Sequence, residues 1–151
     1  RVLLGAVDKR VITKKGVEMS LTVKVITPDR VIWNMTAKEA ILPSTTGQLG
    51  ILTSHASLIT ALEIGVLRIR TEENWIPIIL LGGFAEVEDD VITVLVYGVE
   101  ELKDISDMDE VRDELERASL RLENAETDKE KIEASQNLKR ISAKVQALTF
   151  L

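Results

Sequence analysis

The residues best suited to covalent catalysis lie close together at Ser54, His55 and Ser57. A serine nucleophile needs a histidine base within hydrogen-bonding reach, and that base needs a third group to orient it. Ser54 and His55 are adjacent, and adjacent side chains of an extended segment point to opposite faces. No other histidine and no cysteine occur in the chain. The sequence therefore favours a structural or interface role for His55 over nucleophilic catalysis.

Two glycine-containing stretches resemble phosphate-binding loops only superficially. Residues 45–50 read Thr-Thr-Gly-Gln-Leu-Gly, but no lysine follows them and the continuation is typical of a strand. A phosphate loop needs backbone amides that converge at a helix N-terminus, together with a lysine on the phosphates. We interpret residues 45–50 as a turn. Gly82 and Gly83 lie between two predicted strands and are interpreted as a hairpin corner.

Composition excludes several further classes of function. The absence of cysteine and the single histidine leave few ligands for zinc, and neighbouring carboxylates fall at predicted turns, where they are usually solvated. We expect no metal and no cofactor. A net charge of −6 opposes binding to nucleic acid. No apolar run reaches the roughly 18 residues of a membrane span, so we expect membrane association only through partner proteins.

Short alternating strands are predicted from about residue 20 to residue 100. Leu21, Val23 and Val25 alternate with polar residues, as in a strand with one buried face. Residues 91–96 are nearly all apolar, which predicts a strand covered on both faces. Pro77 predicts an edge strand or a bulge. Closely spaced turn residues separate these runs, and the pattern predicts an all-β sandwich or flattened barrel.

Helical periodicity replaces this alternation after residue 102. Ser106 and Asp109 are spaced like a helix N-terminal cap, and Thr127 and Glu130 form a second capping box. Apolar residues follow each cap at intervals that place them on one helix face. The first stripe is Met108, Val111, Leu115, Ala118, Leu122 and Ala125, and the second is Ile132, Leu138, Ile141, Val145 and Leu148. Two antiparallel helices packed along these stripes are expected.

The junction between these helices is weakly specified. Residues 124–129 contain neither glycine nor proline, so one continuous helix is a plausible second state. Residues 104–126 hold nine acidic and three basic side chains, whereas residues 127–151 hold three acidic and five basic ones. These opposite charges attract weakly in a hairpin, since an exposed ion pair contributes only ~0–1 kcal/mol. Charged groups of a partner protein could therefore replace these contacts between the helices without a large energy barrier.

Several motifs together resemble the epsilon subunit of F-type ATP synthases, especially its plastid and cyanobacterial members. The likeness runs from Met19 to about Leu148, and its motifs lie at residues 27–30, 41–50, 54–56, 65–70 and 82–85. The resemblance implies an α+β fold in two parts, an N-terminal all-β sandwich followed by a C-terminal α-helical hairpin. The expected divisions are an extension of unknown role (1–18), the sandwich (19–103) and a regulatory hairpin (104–151).

The resemblance also implies a role and partners. The chain would be a non-catalytic rotor subunit that couples the gamma subunit to the c-ring and regulates ATP hydrolysis through mobile helices. His55 would lie at the gamma contact, while Lys139, Arg140 and Lys144 would approach an acidic segment of the catalytic beta subunit. The loop facing the c-ring would comprise Thr46, Gly47, Gln48, Leu49 and Gly50. The implied location is the stromal side of the chloroplast thylakoid membrane, or a cyanobacterial thylakoid membrane.

Some bacterial members of the family bind ATP on the hairpin through an Ile-Asp-x-x-Arg-Ala motif. This chain keeps Asp109 and Arg112 of that motif but has Met108 and Asp113 in place of the flanking residues. An acidic side chain beside a triphosphate is unfavourable, so we expect no ATP binding. Two alternatives stay open at this point, namely an ATP-sensing regulatory module and an unrelated β-sandwich adaptor whose helices form an intermolecular bundle.

Overall fold

The computed structural model describes residues 11–13, 16–18, 20–100 and 107–150. Within these ranges the chain forms strands and then two helices. In chain order the strands are β1 (Val11–Thr13), β2 (Gly16–Glu18), β3 (Leu21–Ile26), β4 (Val31–Ala37), β5 (Glu39–Ser44), β6 (Gly47–Ile51), β7 (Leu58–Arg70), β8 (Trp75–Glu88), β9 (Val91–Val96) and β10 (Val99–Glu100). The helices are α1 (Met108–Glu123) and α2 (Asp128–Thr149).

The larger sheet has the strand order β4-β3-β9-β8-β7-β5-β6, and β10 pairs with β8. All pairs are antiparallel except β3 with β9. Strand β8 changes partner along its length, since it pairs with β10 near its middle and with β9 along its second half, while β7 pairs with it almost throughout. The predicted sandwich is confirmed. Strands β4 and β6 lie at opposite ends of the order, so the sheet is open and is not a closed barrel.

The core between the layers is aliphatic, as the scarcity of aromatic residues predicts. Leu21, Val23 and Val25 are fully buried, which confirms the alternation in β3. Each such side chain contributes roughly 1.5–3 kcal/mol when it leaves water. Residues from the other strands complete the cluster, including Leu42, Ile51, Leu67, Ile69, Leu80 and Ile92.

Gly82 and Gly83 lie inside one strand, so the predicted hairpin corner is wrong at this point. Strand β8 continues through them, and its register with β7 includes both Ile64↔Leu81 and Leu62↔Gly83. Both glycines have positive φ, +90° at Gly82 and +150° at Gly83. A Cβ atom on Gly83 would lie 2.1 Å from the carbonyl oxygen of Leu95. Glycine thus lets one strand change partners, which a sequence pattern does not distinguish from a turn between two strands.

Strand β9 is buried on one face only, contrary to the expectation from its apolar run. Ile92 and Val94 are fully buried, whereas Leu95 is 51% exposed. Solvent therefore reaches the outer face of the sheet at β9, where Leu95 is an apolar residue on the surface. Pro77 pairs with Arg68 of β7, and the described part of β10 meets only Leu80 and Ile79. The position suits a residue without a backbone N–H, as predicted.

Side-chain caps fix the starts of both helices. Asp107 is the N-cap of α1, and its carboxylate accepts a hydrogen bond of 3.0 Å from the Asp109 N–H. The predicted cap at Ser106 is therefore wrong by one residue, and Ser106 itself lies outside the described residues. At α2 the prediction is confirmed. Thr127 Oγ1 accepts from the Glu130 N–H at 3.1 Å, and the Glu130 carboxylate accepts from the Glu126 N–H at 3.2 Å.

The two helices pack as the expected hairpin. Val111, Ala118 and Ile141 are buried between them, with Leu115, Leu138, Val145 and Leu148 packed around. Ile132 was expected in this stripe, but it is 59% exposed, and Ala134 is buried in its place. An α-helix turns 100° per residue, so Ala134, seven residues before Ile141, shares its face. Ile132 lies six residues before Leu138 and points about 120° away from the seam.

Candidate functional site

Helix α2 lies on the outer surface of the sandwich over β7 and β8. Val66 and Ile79 of the sheet form a buried cluster with Ala143 and Ala147 of the helix. Leu81 and Phe150 pack against that cluster. The alanines let the helix backbone approach the sheet closely, but the apolar contact is small for a helix of this length. Charged contacts therefore contribute to holding α2 in place.

The basic residues predicted to reach the beta subunit face acidic residues of this same chain. Lys139 Nζ lies 3.1 Å from Glu63 Oε1 on β7. Arg140 Nη1 donates to Glu100 Oε1 on β10, while its Nη2 donates to Asn137 Oδ1 at 2.8 Å. In this conformation α2 is docked with those cations neutralised internally.

Lys144 connects three elements of the fold. Its Nζ lies 3.5 Å from Glu100 Oε2 on β10 and 3.4 Å from Glu114 Oε1 on α1. The side chain of Lys144 is only 16% exposed and that of Glu100 is 23% exposed. Glu100 is one of the neighbouring carboxylates that the sequence predicts to be solvated, whereas in the structure it contacts both Arg140 and Lys144. No local sequence signal marks Glu63, Glu100 or Glu114 as partners of these cations.

The loop predicted to face the c-ring is the tight turn between β5 and β6. Ser44 pairs with Gly47, which has a φ of +123° and closes the turn. Ser44 Oγ accepts a hydrogen bond from the Thr46 N–H at 3.1 Å. Gln48 Oε1 accepts from Arg68 Nη2 at 3.3 Å. The predicted turn is confirmed at Thr45 and Thr46, whereas residues 47–50 already belong to strand β6. Thr46, Gly47, Gln48 and Gly50 are exposed, and Leu49 is half-buried.

His55 lies in the loop between β6 and β7. Its N–H donates to the Leu52 carbonyl at 3.3 Å, and its Nδ1 lies 2.8 Å from the Ala56 carbonyl oxygen. The contact with a carbonyl oxygen requires Nδ1 to carry the hydrogen. Ser54, with a φ of +65°, is held through its main-chain N–H by Asp90 at 2.6 Å. The imidazole Nδ1 thus contacts a neutral main-chain carbonyl, where a catalytic triad would place a carboxylate.

Asp109 lies in the first turn of α1 and Arg112 at the start of the second, and both are exposed. Their separation of three residues places them on one side of the helix. Within the described ranges, no group of three or more histidine, cysteine or carboxylate side chains could hold a metal ion. In the same residues, neither helix has a stretch apolar enough to cross a bilayer.

Comparison with known proteins gives the family. The model of the ATP synthase Delta/Epsilon chain β-sandwich domain matches residues 20–102. The chloroplastic ATP synthase epsilon chain of Gracilaria tenuistipitata var. liui is 53% identical over 133 residues, which cover 88% of this chain and 98% of that one. The corresponding chain of Guillardia theta is 51% identical over 131 residues, covering 87% and 99%.

Solved structures show the same fold at lower identity. A chain of the Euglena gracilis mitochondrial ATP synthase, in a structure of OSCP/F1/c-ring, is 19% identical and superposes with a TM-score of 0.75. The match covers 93% of this chain and 89% of that one. A chain from the Tetrahymena thermophila mitochondrial ATP synthase central stalk and c-ring gives a TM-score of 0.59 at 19% identity, covering 86% and 97%. The chain therefore belongs to the family of ATP synthase epsilon chains.

Proposed function

We propose that this chain is a non-catalytic central-stalk subunit that couples the gamma subunit to the c-ring and regulates ATP hydrolysis. Support comes from its similarity to chloroplastic epsilon chains over most of its length and from solved neighbours in F1/c-ring assemblies. The names of these relatives also support a plastid location. Within the plastid, we assign the chain to the stromal side of the thylakoid membrane. Residues 19–103 would serve as the coupling unit and residues 104–151 as the regulator.

The coupling role needs a stiff body. Strands β7 and β8 pair along nearly their whole length, and the sandwich between them and the outer strands is tightly packed. A packed interior transmits force because it is barely compressible. We assign Thr46, Gly47, Gln48, Leu49 and Gly50 to the contact with the c-ring and His55 to the contact with gamma.

The regulatory role depends on one observation, the docked position of α2. Lys139, Arg140 and Lys144 are each paired with a carboxylate of this chain. Opening of the hairpin would free all three cations for an acidic segment of the beta subunit. Because each of these ion pairs can be exchanged for a pair with a carboxylate of the partner, the docked and open states can differ by only a few kcal/mol, and the partner's charges can shift their populations.

Neutralising these cations tests the regulatory role. We expect the Lys139→Gln/Arg140→Gln/Lys144→Gln variant to assemble normally in the complete enzyme and to inhibit ATP hydrolysis less than the unmodified chain does. Lys129→Gln/Lys131→Gln is the matched control, since Lys129 and Lys131 are exposed cations at the start of the same helix. Undiminished inhibition in the triple variant would remove these side chains from the mechanism.

A further inference from the structure

Glu100 accepts two cations of α2 at once. Its Oε1 contacts Arg140 Nη1 and its Oε2 lies 3.5 Å from Lys144 Nζ. Each oxygen thus serves a different side chain, and the two cations, one helical turn apart, point to the same carboxylate. Asn137 adds a neutral acceptor for Arg140 at 2.8 Å. The arrangement is a small acidic site for one basic face of α2.

This site differs from the other ion pair between α2 and the sandwich. Lys139 and Glu63 are 52% and 42% exposed, so solvent and salt screen their attraction. The side chains of Lys144 and Glu100 are 16% and 23% exposed, and their attraction is screened less. Loss of Glu100 would also leave Arg140 and Lys144 facing each other, and among the described residues Glu114 alone would then balance Lys144. Docking of α2 should therefore depend on Glu100 far more than on Glu63.

We propose that Glu100 competes with the acidic segment of the partner subunit for binding to Arg140 and Lys144. It occupies Arg140 and Lys144 in the docked hairpin, so these cations serve either Glu100 or the partner, never both. The inference rests on the function proposed above, because it takes the freed cations to be the inhibitory ones. Beyond that function, Glu100 is identified as the residue that keeps Arg140 and Lys144 from the partner in the docked hairpin.

Competition gives an unusual pair of expected effects. Breaking the contact from either side should loosen docking to a similar degree. In the assembled enzyme the two changes should act in opposite directions. Glu100→Gln frees intact cations and should deepen inhibition, whereas Arg140→Gln/Lys144→Gln frees a helix that has lost them and should weaken inhibition. A role for Glu100 confined to the stability of the sandwich, with no part in docking α2, would not produce this opposition of sign.

Docking can be measured on the isolated full chain. The sequence contains no cysteine, so spin labels can be attached at Glu86→Cys on β8 and Gln136→Cys on α2, both exposed positions. Double electron–electron resonance then gives the ratio of undocked to docked molecules. We expect Glu100→Gln and Arg140→Gln/Lys144→Gln each to raise this ratio about tenfold. Glu63→Gln, the matched control at the exposed pair, should raise it only about twofold.

Charge reversal keeps the test decisive if a single variant folds poorly. Glu100→Lys combined with Arg140→Glu, Lys144→Glu and Glu114→Gln restores opposite charges across the contact without placing two carboxylates together at the Lys144–Glu114 contact. This variant should return the undocked ratio toward that of the unmodified chain. Equal effects of Glu100→Gln and Glu63→Gln on that ratio would overturn the assignment of Glu100.

The second measurement is ATP hydrolysis by the enzyme assembled with each variant. Deeper inhibition with Glu100→Gln and weaker inhibition with Arg140→Gln/Lys144→Gln would support the competition. Inhibition that falls in both variants would overturn it, while leaving the regulatory role of α2 intact. Loosened docking with unchanged inhibition in both variants would instead overturn the proposed regulatory function, and the competition with it.

Discussion

The guanidinium carbon of Arg68 lies 4.4 Å from the centre of the Phe150 ring, which joins β7 to the end of α2. The same guanidinium carbon lies 5.7 Å from the Trp75 ring, and Nη2 of Arg68 donates to Gln48 at 3.3 Å. Arg68 therefore contacts both the turn that we assign to the c-ring and the docked end of the helix that we assign to regulation. The stacked ring also closes one end of the apolar cluster beneath α2.

The Arg68–Phe150 contact should be measurable as a coupling energy. In a double-mutant cycle of Arg68→Met and Phe150→Leu, we expect the two losses of unfolding free energy to differ from additivity by about 0.5–1 kcal/mol, the usual strength of a cation–π contact. Urea titration followed by circular dichroism provides the measurement. Arg70→Met is the control, because Arg70 faces Trp75 and Glu39. Equal coupling of Phe150 to Arg70 would contradict the specific contact.

The hairpin seam should be sensitive at Ile141 and insensitive at Ile132. Ile141 is 2% exposed between the helices, whereas Ile132 is 59% exposed near the start of the same helix. We expect Ile141→Ala to cost about 2–4 kcal/mol of stability, through lost burial and the cavity left behind. Ile132→Ala should stay within about 0.5 kcal/mol. Urea titration followed by the helical circular dichroism signal measures the stability cost of each substitution. Similar costs at the two positions would mean that the helices pack along a different face.

Thr27 should control the acidity of Asp29 in the turn between β3 and β4. The Thr27 hydroxyl donates to Asp29 Oδ1 at 2.9 Å, and this hydrogen bond is the main reason that the pKa of Asp29 lies below its ordinary value of 3.8. Because the folded-state pKa is depressed, the stabilisation is complete above the unfolded value and is lost as pH falls through the folded value.

Thr27→Val keeps the shape of this buried side chain and removes the hydrogen-bond donor, so we expect the pKa of Asp29 to rise. Stability should then become less dependent on pH on the acid side of 3.8. Carboxyl NMR titration of the folded chain measures the pKa directly. Arg30→Gln serves as the comparison, since Arg30 is the smallest contributor to the shift and should move the pKa less. If Arg30→Gln raised the pKa of Asp29 more than Thr27→Val does, the Thr27 hydrogen bond would not be its main cause.

The ATP-sensing alternative predicts a bound nucleotide near Asp109 and Arg112. Both side chains are exposed near the start of α1, and the acidic Asp113 follows Arg112 directly. Because this carboxylate repels a triphosphate, we expect no saturable heat when the full chain is titrated with Mg-ATP in a calorimeter. Saturable heat that disappears in Arg112→Gln would establish the alternative at this site.

Local features of the sequence were sufficient for much of the fold. The alternation in β3, the capping box at Thr127 and the stripe around Ile141 depend on neighbours within a few residues, and each was predicted. The errors arose where a local pattern had two structural solutions. Gly82 and Gly83 fit either a corner or a strand that changes partners, and an apolar Leu95 fits either a covered or an exposed face.

At the candidate site, less of the structure could be predicted from the sequence. The sequence, together with its resemblance, singled out Lys139, Arg140 and Lys144, but it gave no indication of what they contact within the chain. Their acceptors lie far along the sequence, 76 residues away at Glu63 and 40 residues away for the Arg140–Glu100 pair. Such pairs depend on where α2 docks, and no local periodicity records that position. Sequence thus determined the elements and the basic face of α2, while tertiary packing decided that Glu100 neutralises it.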